Sequence, residues 1–368
     1  MLYIHMPFCR AKCAYCDFYS TPKAGWMEGY VDALIGEYAE RCPGGFVPHT
    51  LYLGGGTPSS LPLPLLYRVL GALRLPDALD EATIEANPED VTHEWTEGIV
   101  GHTPFGRVSM GVQSFDDSQL RFIGRRHTAA DALRAVRTLR DGGVGNISLD
   151  LIYGLPGQTL DSWRRSLDTM LDLCPDHISA YLLSYEPRTR LGVMLDKGRV
   201  TEASDELVAD MYSYLCRATR EAGYAHYEIS NFALPGRRAI HNSGYWSGRP
   251  YLGLGPGAHS YVGGVRGSNP PDLAAYIACG GRGVHQPEGE ELSSRLNDLL
   301  ITSLRTSAGL DPAIVRRDYP AVMADEVLAE ADALVRTGEL AVTEGGNLVI
   351  PEDKWLTSNT ILLKLIIV

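Results

Sequence analysis

The chain is short of positive charge. Its 33 lysines and arginines face 45 aspartates and glutamates, a formal net charge of −12. A nucleic-acid partner needs a basic face to meet phosphates, so nucleic acid is not expected as the main partner. Long apolar runs are missing too: none reaches the roughly 20 residues a membrane-spanning helix needs, and no membrane span is expected. The opening Met1-Leu2-Tyr3-Ile4-His5 has no basic region ahead of an apolar stretch, which argues against a signal peptide and for a cytoplasmic protein. Cysteine is sparse, at seven residues. In a reducing cytoplasm these are not expected to build a disulfide framework, so their spacing becomes informative. There is no internal repeat and no low-complexity tract.

What is present reads as a folded α/β chain, long enough for one large domain and a smaller one. Short apolar, β-branched runs predict strands at Leu2–His5, Thr50–Leu53, Ala82–Ala86, Arg107–Val112, Ile147–Ile152 and His177–Leu182. Helical patterns fall between them, among them Trp26–Arg41, Ala129–Asp141 and Leu160–Leu173. Such alternation implies a parallel sheet with right-handed crossovers. Six units are fewer than a closed eight-fold barrel needs, so the expected fold is a partial (β/α)6 barrel over residues 1–204. Residues 205–292 read as an extension. It opens with a helix near Asp205–Ala222, continues as a Gly- and aromatic-rich stretch over Tyr224–Tyr261, and ends as a loop or linker over 262–292. Residues 293–368 predict helices, a small hairpin at Glu339–Val342 and Asn347–Ile350, and a last helix: a winged-helix-like α+β module.

Cys9, Cys13 and Cys16 form C-x3-C-x2-C just after the first strand. The spacing brings three thiolates to one small centre. A closed zinc site wants four ligands, and no fourth Cys or His follows in the run. An iron–sulfur cluster normally takes four thiolates, so three leave one iron open to a substrate or cofactor. Cys42, Cys174, Cys216 and Cys279 are scattered and expected to be ordinary buried thiols.

This triplet resembles the signature of the radical S-adenosylmethionine (SAM) family. The resemblance implies a [4Fe–4S] cluster on the three cysteines, with SAM chelating the open iron and yielding a 5′-deoxyadenosyl radical on reduction. Further motifs sit at strand ends, where parallel β/α folds carry their chemistry. They are Gly54-Gly55-Gly56-Thr57-Pro58-Ser59, Glu85-Ala86-Asn87-Pro88, Ser109 through Phe115, Leu120 through His127, and Asp150 through Thr159. A glycine run bares backbone for close approach, and an arginine suits a planar carboxylate. By motif, the resemblance implies SAM contacts at Tyr3, Tyr15, Gly55, Gly56, Thr57, Glu85, Gln113, Arg125 and Asp150.

The order and spacing of these motifs are similar to the subgroup that contains oxygen-independent coproporphyrinogen III oxidase and the HemW haem chaperones. The oxidase pattern continues to a fourth cysteine, where this chain has Phe18, and the oxidase carries an extension ahead of its first strand; both differences favour the chaperone branch. His241-Asn242-Ser243-Gly244-Tyr245-Trp246 resembles the HNxxYW motif of that branch. It implies haem contact at His241, with His259 as a second candidate; His5 and His127 are not assigned to haem. The resemblance thus implies haem as cargo, a haem-acceptor protein, and a small electron donor such as flavodoxin or ferredoxin. The alternatives are decarboxylation of coproporphyrinogen III and radical methyl transfer.

Overall fold

The computed structural model describes residues 1–42, 46–289 and 291–367. Six parallel strands form its centre: β1 (Leu2–Met6), β2 (Thr50–Gly55), β3 (Glu81–Ala86), β4 (Arg107–Gln113), β5 (Asn146–Tyr153) and β6 (His177–Leu182). Three shorter strands extend both edges: β7 (Ala225–Glu228), β8 (Asn231–Ala233) and β9 (Leu252–Leu254). The order is β7-β8-β6-β5-β4-β3-β2-β1-β9. β9 runs parallel to β1, and β8 antiparallel to β6. The expected partial barrel is present, and strands from the 205–292 segment widen its sheet on both sides.

The crossover helices are α1 (Met27–Arg41), α2 (Leu63–Ala72), α3 (His93–His102), α4 (Asp117–Phe122), α5 (Ala129–Asp141) and α6 (Leu160–Asp172). Thr128 and Thr159 start α5 and α6 with capping boxes that satisfy otherwise unpaired N–H groups. α6 then buries Trp163, Leu167 and Met170, one helical face, in the core. Beyond β6 come α7 (Arg190–Asp196), α8 (Asp205–Glu221) and α9 (Ile240–Trp246).

Residues alternate across the sheet. Leu2, Ile4, Leu51, Leu53, Ile84, Val108, Met110 and Leu149 join the apolar core. The other face carries Tyr3, His5, Tyr52, Glu85, Arg107, Ser109, Ser148, Asp150 and His177. The barrel lumen is therefore polar.

Residues 262–292 are not a linker. They hold β11 (Val265–Ser268), α10 (Leu273–Ala278) and β12 (Gln286–Pro287), and β11 pairs with β10 (His259–Val262) and β12 in a small antiparallel sheet. Glu37 of α1, fully buried, ties this segment to the barrel. Its carboxylate accepts hydrogen bonds from Gly255 N (2.8 Å), Asn269 Nδ2 (2.8 Å), Tyr276 Oη (2.7 Å) and Arg41 Nη1 (2.8 Å). The C-terminal module holds α11 (Leu292–Ser303), α12 (Pro312–Asp318), α13 (Ala321–Arg336), the hairpin β13 (Ala341–Val342) and β14 (Leu348–Val349), and α14 (Ser358–Leu365).

Candidate functional site

The cysteine loop leaves β1 and is pinned on both sides. Thr21 N donates to Pro7 O (2.7 Å) and Cys9 N to Thr21 O (3.1 Å). Ala14 N donates to Ile123 O, and Leu191 N to Ala14 O, each at 2.8 Å. Ala14 also packs in a small apolar cluster with Ile123, Ile152, Leu155, Leu183 and Leu191. Chain following β4, β5 and β6 thus supports the loop. Cys9, Cys13 and Cys16 are all free and half-buried. Burial pushes the Cys9 thiol up and the Cys16 thiol up to about 11, so thiolates here call for a cation, which a coordinated metal supplies. Of the remaining cysteines only Cys42 is buried as expected. Cys216 is half-buried, and Cys174 and Cys279 are exposed, because the last two lie just past the ends of α6 and α10 rather than inside them.

A chain of polar contacts joins the loop to the strand ends. Cys9 Sγ lies 3.3 Å from Thr57 Oγ1, which accepts from Asn87 Nδ2 at 3.1 Å. Asn87 Oδ1 accepts from Arg125 Nη2 at 2.5 Å, and Arg125 Nη1 reaches Cys13 Sγ at 3.6 Å. The same Nη2 donates to Gly111 O at 2.6 Å. Motifs from β2, β3 and β4 therefore meet at the cysteines. Asn87 lies in the Glu85–Pro88 motif but is not among the contacts the resemblance implies; its place next to Pro88, at the end of a strand, is the available signal.

Two glycines make the approach possible. Gly55 has φ +106°, and a Cβ there would lie 2.5 Å from the His5 ring. A Cβ on Gly56 would lie 2.7 Å from both Met6 O and Phe8 O, the backbone leading into Cys9. Gln113 has φ +70° at a β-bulge in β4. A non-glycine residue in that region costs on the order of 1–2 kcal/mol, and such strain clusters at functional sites.

Glu85 and Asp150 lie in the lumen near its mouth. Burial raises Glu85 to about 7, against hydrogen bonds from Tyr52 Oη (2.8 Å) and Gly55 N (3.1 Å). Burial raises Asp150 to about 6. Asp150 Oδ1 is buried with no hydrogen-bond partner among the described residues, as are Nε and Nη1 of Arg107. Orphaned polar atoms facing a lumen suit a polar ligand. Three thiols on one loop, a bared glycine backbone and the unpartnered Asp150 oxygen together fit a three-cysteine cluster with a polar cofactor.

Tyr15 packs against the apolar cluster around Ala14. Tyr3 Oη and Tyr19 O flank the two nitrogens of His5, at 3.1 and 2.9 Å. His127 is buried, with Nε2 3.0 Å from Val112 O. His241 is fully buried, its Nδ1 2.8 Å from Thr50 Oγ1 and its Nε2 2.9 Å from Tyr245 Oη. Burial lowers its pKa to about 3. With both nitrogens engaged, this ring has no lone pair turned to a ligand. His259 is exposed and lines a cavity of about 1240 Å³ bounded by β1, the cysteine loop, β10–β11 and the C-terminal helices. Tyr3, Tyr19, Tyr245, Arg249 and Arg295 also line it.

Comparison with known proteins agrees with this geometry. The radical SAM superfamily model matches residues 3–170. Heme chaperone HemW of Bacillus subtilis is 36% identical over 94% of this chain and 96% of its own length. Heme chaperone HemW of Mycobacterium tuberculosis is 36% identical over 92% and 90%. The mitochondrial radical S-adenosyl methionine domain-containing protein 1 of Danio rerio is 30% identical over 96% and 82%. Among solved structures, coproporphyrinogen III oxidase (HemN) of Escherichia coli superposes with a TM-score of 0.83 at 23% identity, covering 99% of this chain and 89% of that one, which shows a shared fold. Among the described residues, no helix is long and apolar enough to cross a membrane. Radical SAM membership implies a [4Fe–4S] cluster and SAM, and identity across nearly the full length places the chain in one branch: it belongs to the HemW family of radical SAM proteins.

Proposed function

We propose that this chain is a haem chaperone: it binds haem and passes it to an acceptor protein, with a [4Fe–4S] cluster on Cys9, Cys13 and Cys16. Tyr3, Tyr15, Gly55, Gly56, Thr57, Glu85, Gln113, Arg125 and Asp150 would hold SAM. A small donor such as flavodoxin or ferredoxin would supply electrons. The observation that carries the haem reading is the cavity of about 1240 Å³ beside the cysteine loop. It exceeds the roughly 300–1,000 Å³ of ordinary small-molecule sites. Tyrosine rings offer faces to a porphyrin, Arg249 and Arg295 offer charge to its propionates, and His259 offers an imidazole to its iron. We assign the iron contact to His259. His241 serves as a positioning residue, holding Tyr245 in the cavity wall through the 2.9 Å bond to its hydroxyl.

Anaerobically reconstituted protein should bind about one haem per chain. His259→Ala should weaken binding and shift the Soret band. His241→Ala should weaken binding and leave the axial-ligand signature unchanged. With SAM and reductant, coproporphyrinogen III should not be consumed. Sustained formation of protoporphyrinogen IX would overturn the chaperone reading in favour of the oxidase, and absence of both haem binding and turnover would favour methyl transfer. A spectrum and affinity indifferent to His259→Ala would remove that residue from the iron.

A further inference from the structure

Away from the barrel mouth, three side chains from separate elements converge. Cys216 of α8, His226 of β7 and Glu352 of the 3-10 helix Glu352–Thr357 each bring one donor atom, all within 4.8 Å of one another. His226 Nδ1 lies 3.0 Å from Glu352 Oε1 and 3.9 Å from Cys216 Sγ. Its other nitrogen, Nε2, lies 3.4 Å from Ile229 O. The ring thus faces an oxygen acceptor at each nitrogen, while a neutral imidazole has one N–H. With that proton on Nε2, toward the carbonyl, Nδ1 turns a lone pair to a carboxylate and a thiol. One cation among them answers all three. Metal-ligating histidines are held in this way, their outer nitrogen on a backbone carbonyl that fixes the tautomer.

The surroundings hold the ring in place. His226 stacks on Phe232 at 4.0 Å and meets Trp355 edge-on at 4.4 Å between centroids. Arg220 Nη2 takes the other oxygen of Glu352 at 2.6 Å, leaving Oε1 to His226. Tyr212, 6% exposed, has its ring 6.2 Å from His226. Its buried hydroxyl lies beside the Cys216 thiol.

We propose that Cys216, His226 and Glu352 form a divalent-cation site, with zinc as the metal its donors select and a water as its fourth ligand, fastening the barrel edge to the C-terminal module. Thiolate, imidazole and carboxylate are zinc's ligands. A Zn–S bond of about 2.3 Å and a Zn–N bond of about 2.0–2.1 Å sum to about 4.4 Å, so one ion spans the 3.9 Å between Sγ and Nδ1. The site is separate from the N-terminal cysteines and independent of the haem reading.

The test uses the full-length chain with Cys9, Cys13 and Cys16 replaced by Ala, which removes the competing thiols. This parent should retain about one zinc per chain after gel filtration. Cobalt(II) in its place should show a thiolate-to-metal charge-transfer band. Cys216→Ser should abolish the band and weaken zinc about tenfold or more in competition with a chromogenic chelator. Glu352→Gln, at a partly exposed position, should weaken zinc likewise. Unchanged zinc affinity in both variants, or a parent that holds none, would overturn the site and leave a His226–Glu352 ion pair alone. If Cys216→Ser loses its far-ultraviolet circular dichroism, the Glu352→Gln titration decides.

Discussion

Arg125 reaches Cys13, Asn87 and Gly111 with one guanidinium, so it does more than wait for a carboxylate. Removing it frees the cysteine loop from the ends of β3 and β4. Arg125→Ala should weaken the electron paramagnetic resonance response of the reduced cluster to SAM by the worth of a charged hydrogen bond, about 1.5–3 kcal/mol. It should also lower iron retention. Cys13→Ala should abolish the stable cluster, whereas Cys42→Ala should not. Unchanged SAM affinity in Arg125→Ala would take that residue out of the site. Glu85 supplies a second test. Its proton is held to about 7 in the fold against an ordinary value of 4.5. Between those pH values the folded chain binds the extra proton, so this group's contribution to stability falls as pH rises, and is least above about 7. Glu85→Gln removes the dependence. The melting temperature of the variant minus that of the parent should therefore rise from about pH 5 to about pH 8, equivalent to about 2–3 kcal/mol. Asp150 pulls the same way over a window that closes near 6. A difference that stays flat with pH would mean Glu85 ionises normally.

At the scale of elements, the junction of β1 and β2 sets the cysteine loop. Gly56 N donates to Met6 O at 2.8 Å, and no side chain fits between them. Gly56→Ala should lower both iron content and melting temperature, because the obstructing atoms are backbone. Gly71→Ala, near the end of α2 with open space around it, should instead stabilise by up to about 0.5–1 kcal/mol. Equal melting temperatures for the two variants would refute the steric account. The central strands and long helices were legible in the sequence because β-branched runs and Thr caps mark them. His177–Leu182 and Ala129–Asp141 match their expected bounds. The miss at 262–292 has a physical cause. Gly263 and Gly264, read as linker residues, both have positive φ and join Val262 to its partner Val265, the two-residue turn that a hairpin's twist prefers. β7, β8 and β9 are three or four residues long, too short for alternation to register. The cysteine loop and the motifs at strand ends were legible because motif spacing carries them. The enclosure of His241 was not, since its partners Thr50 and Tyr245 come from an interior strand and its own helix, and only the fold brings Thr50 beside it.

Across the whole molecule, β1 lies between β2 and β9. Its two neighbours are therefore supplied about 50 and about 250 residues along the chain. β6 likewise gains its outer neighbour, β8, only at Asn231–Ala233. A ribosome extends a chain at about 5–20 residues per second, so the strand leading into Cys9 keeps one open edge for on the order of ten seconds or more after it emerges. Open edges invite pairing with other chains. The supports of the cysteine loop also arrive late, Ile123 first and Leu191 afterwards. Nascent chains therefore offer the three thiols on a loop held by Thr21 and Gly56 alone until Ile123 emerges, and without Leu191 until about the midpoint of synthesis. Iron delivery timed before that point would meet a partly braced loop, and delivery after release would meet a fully braced cradle.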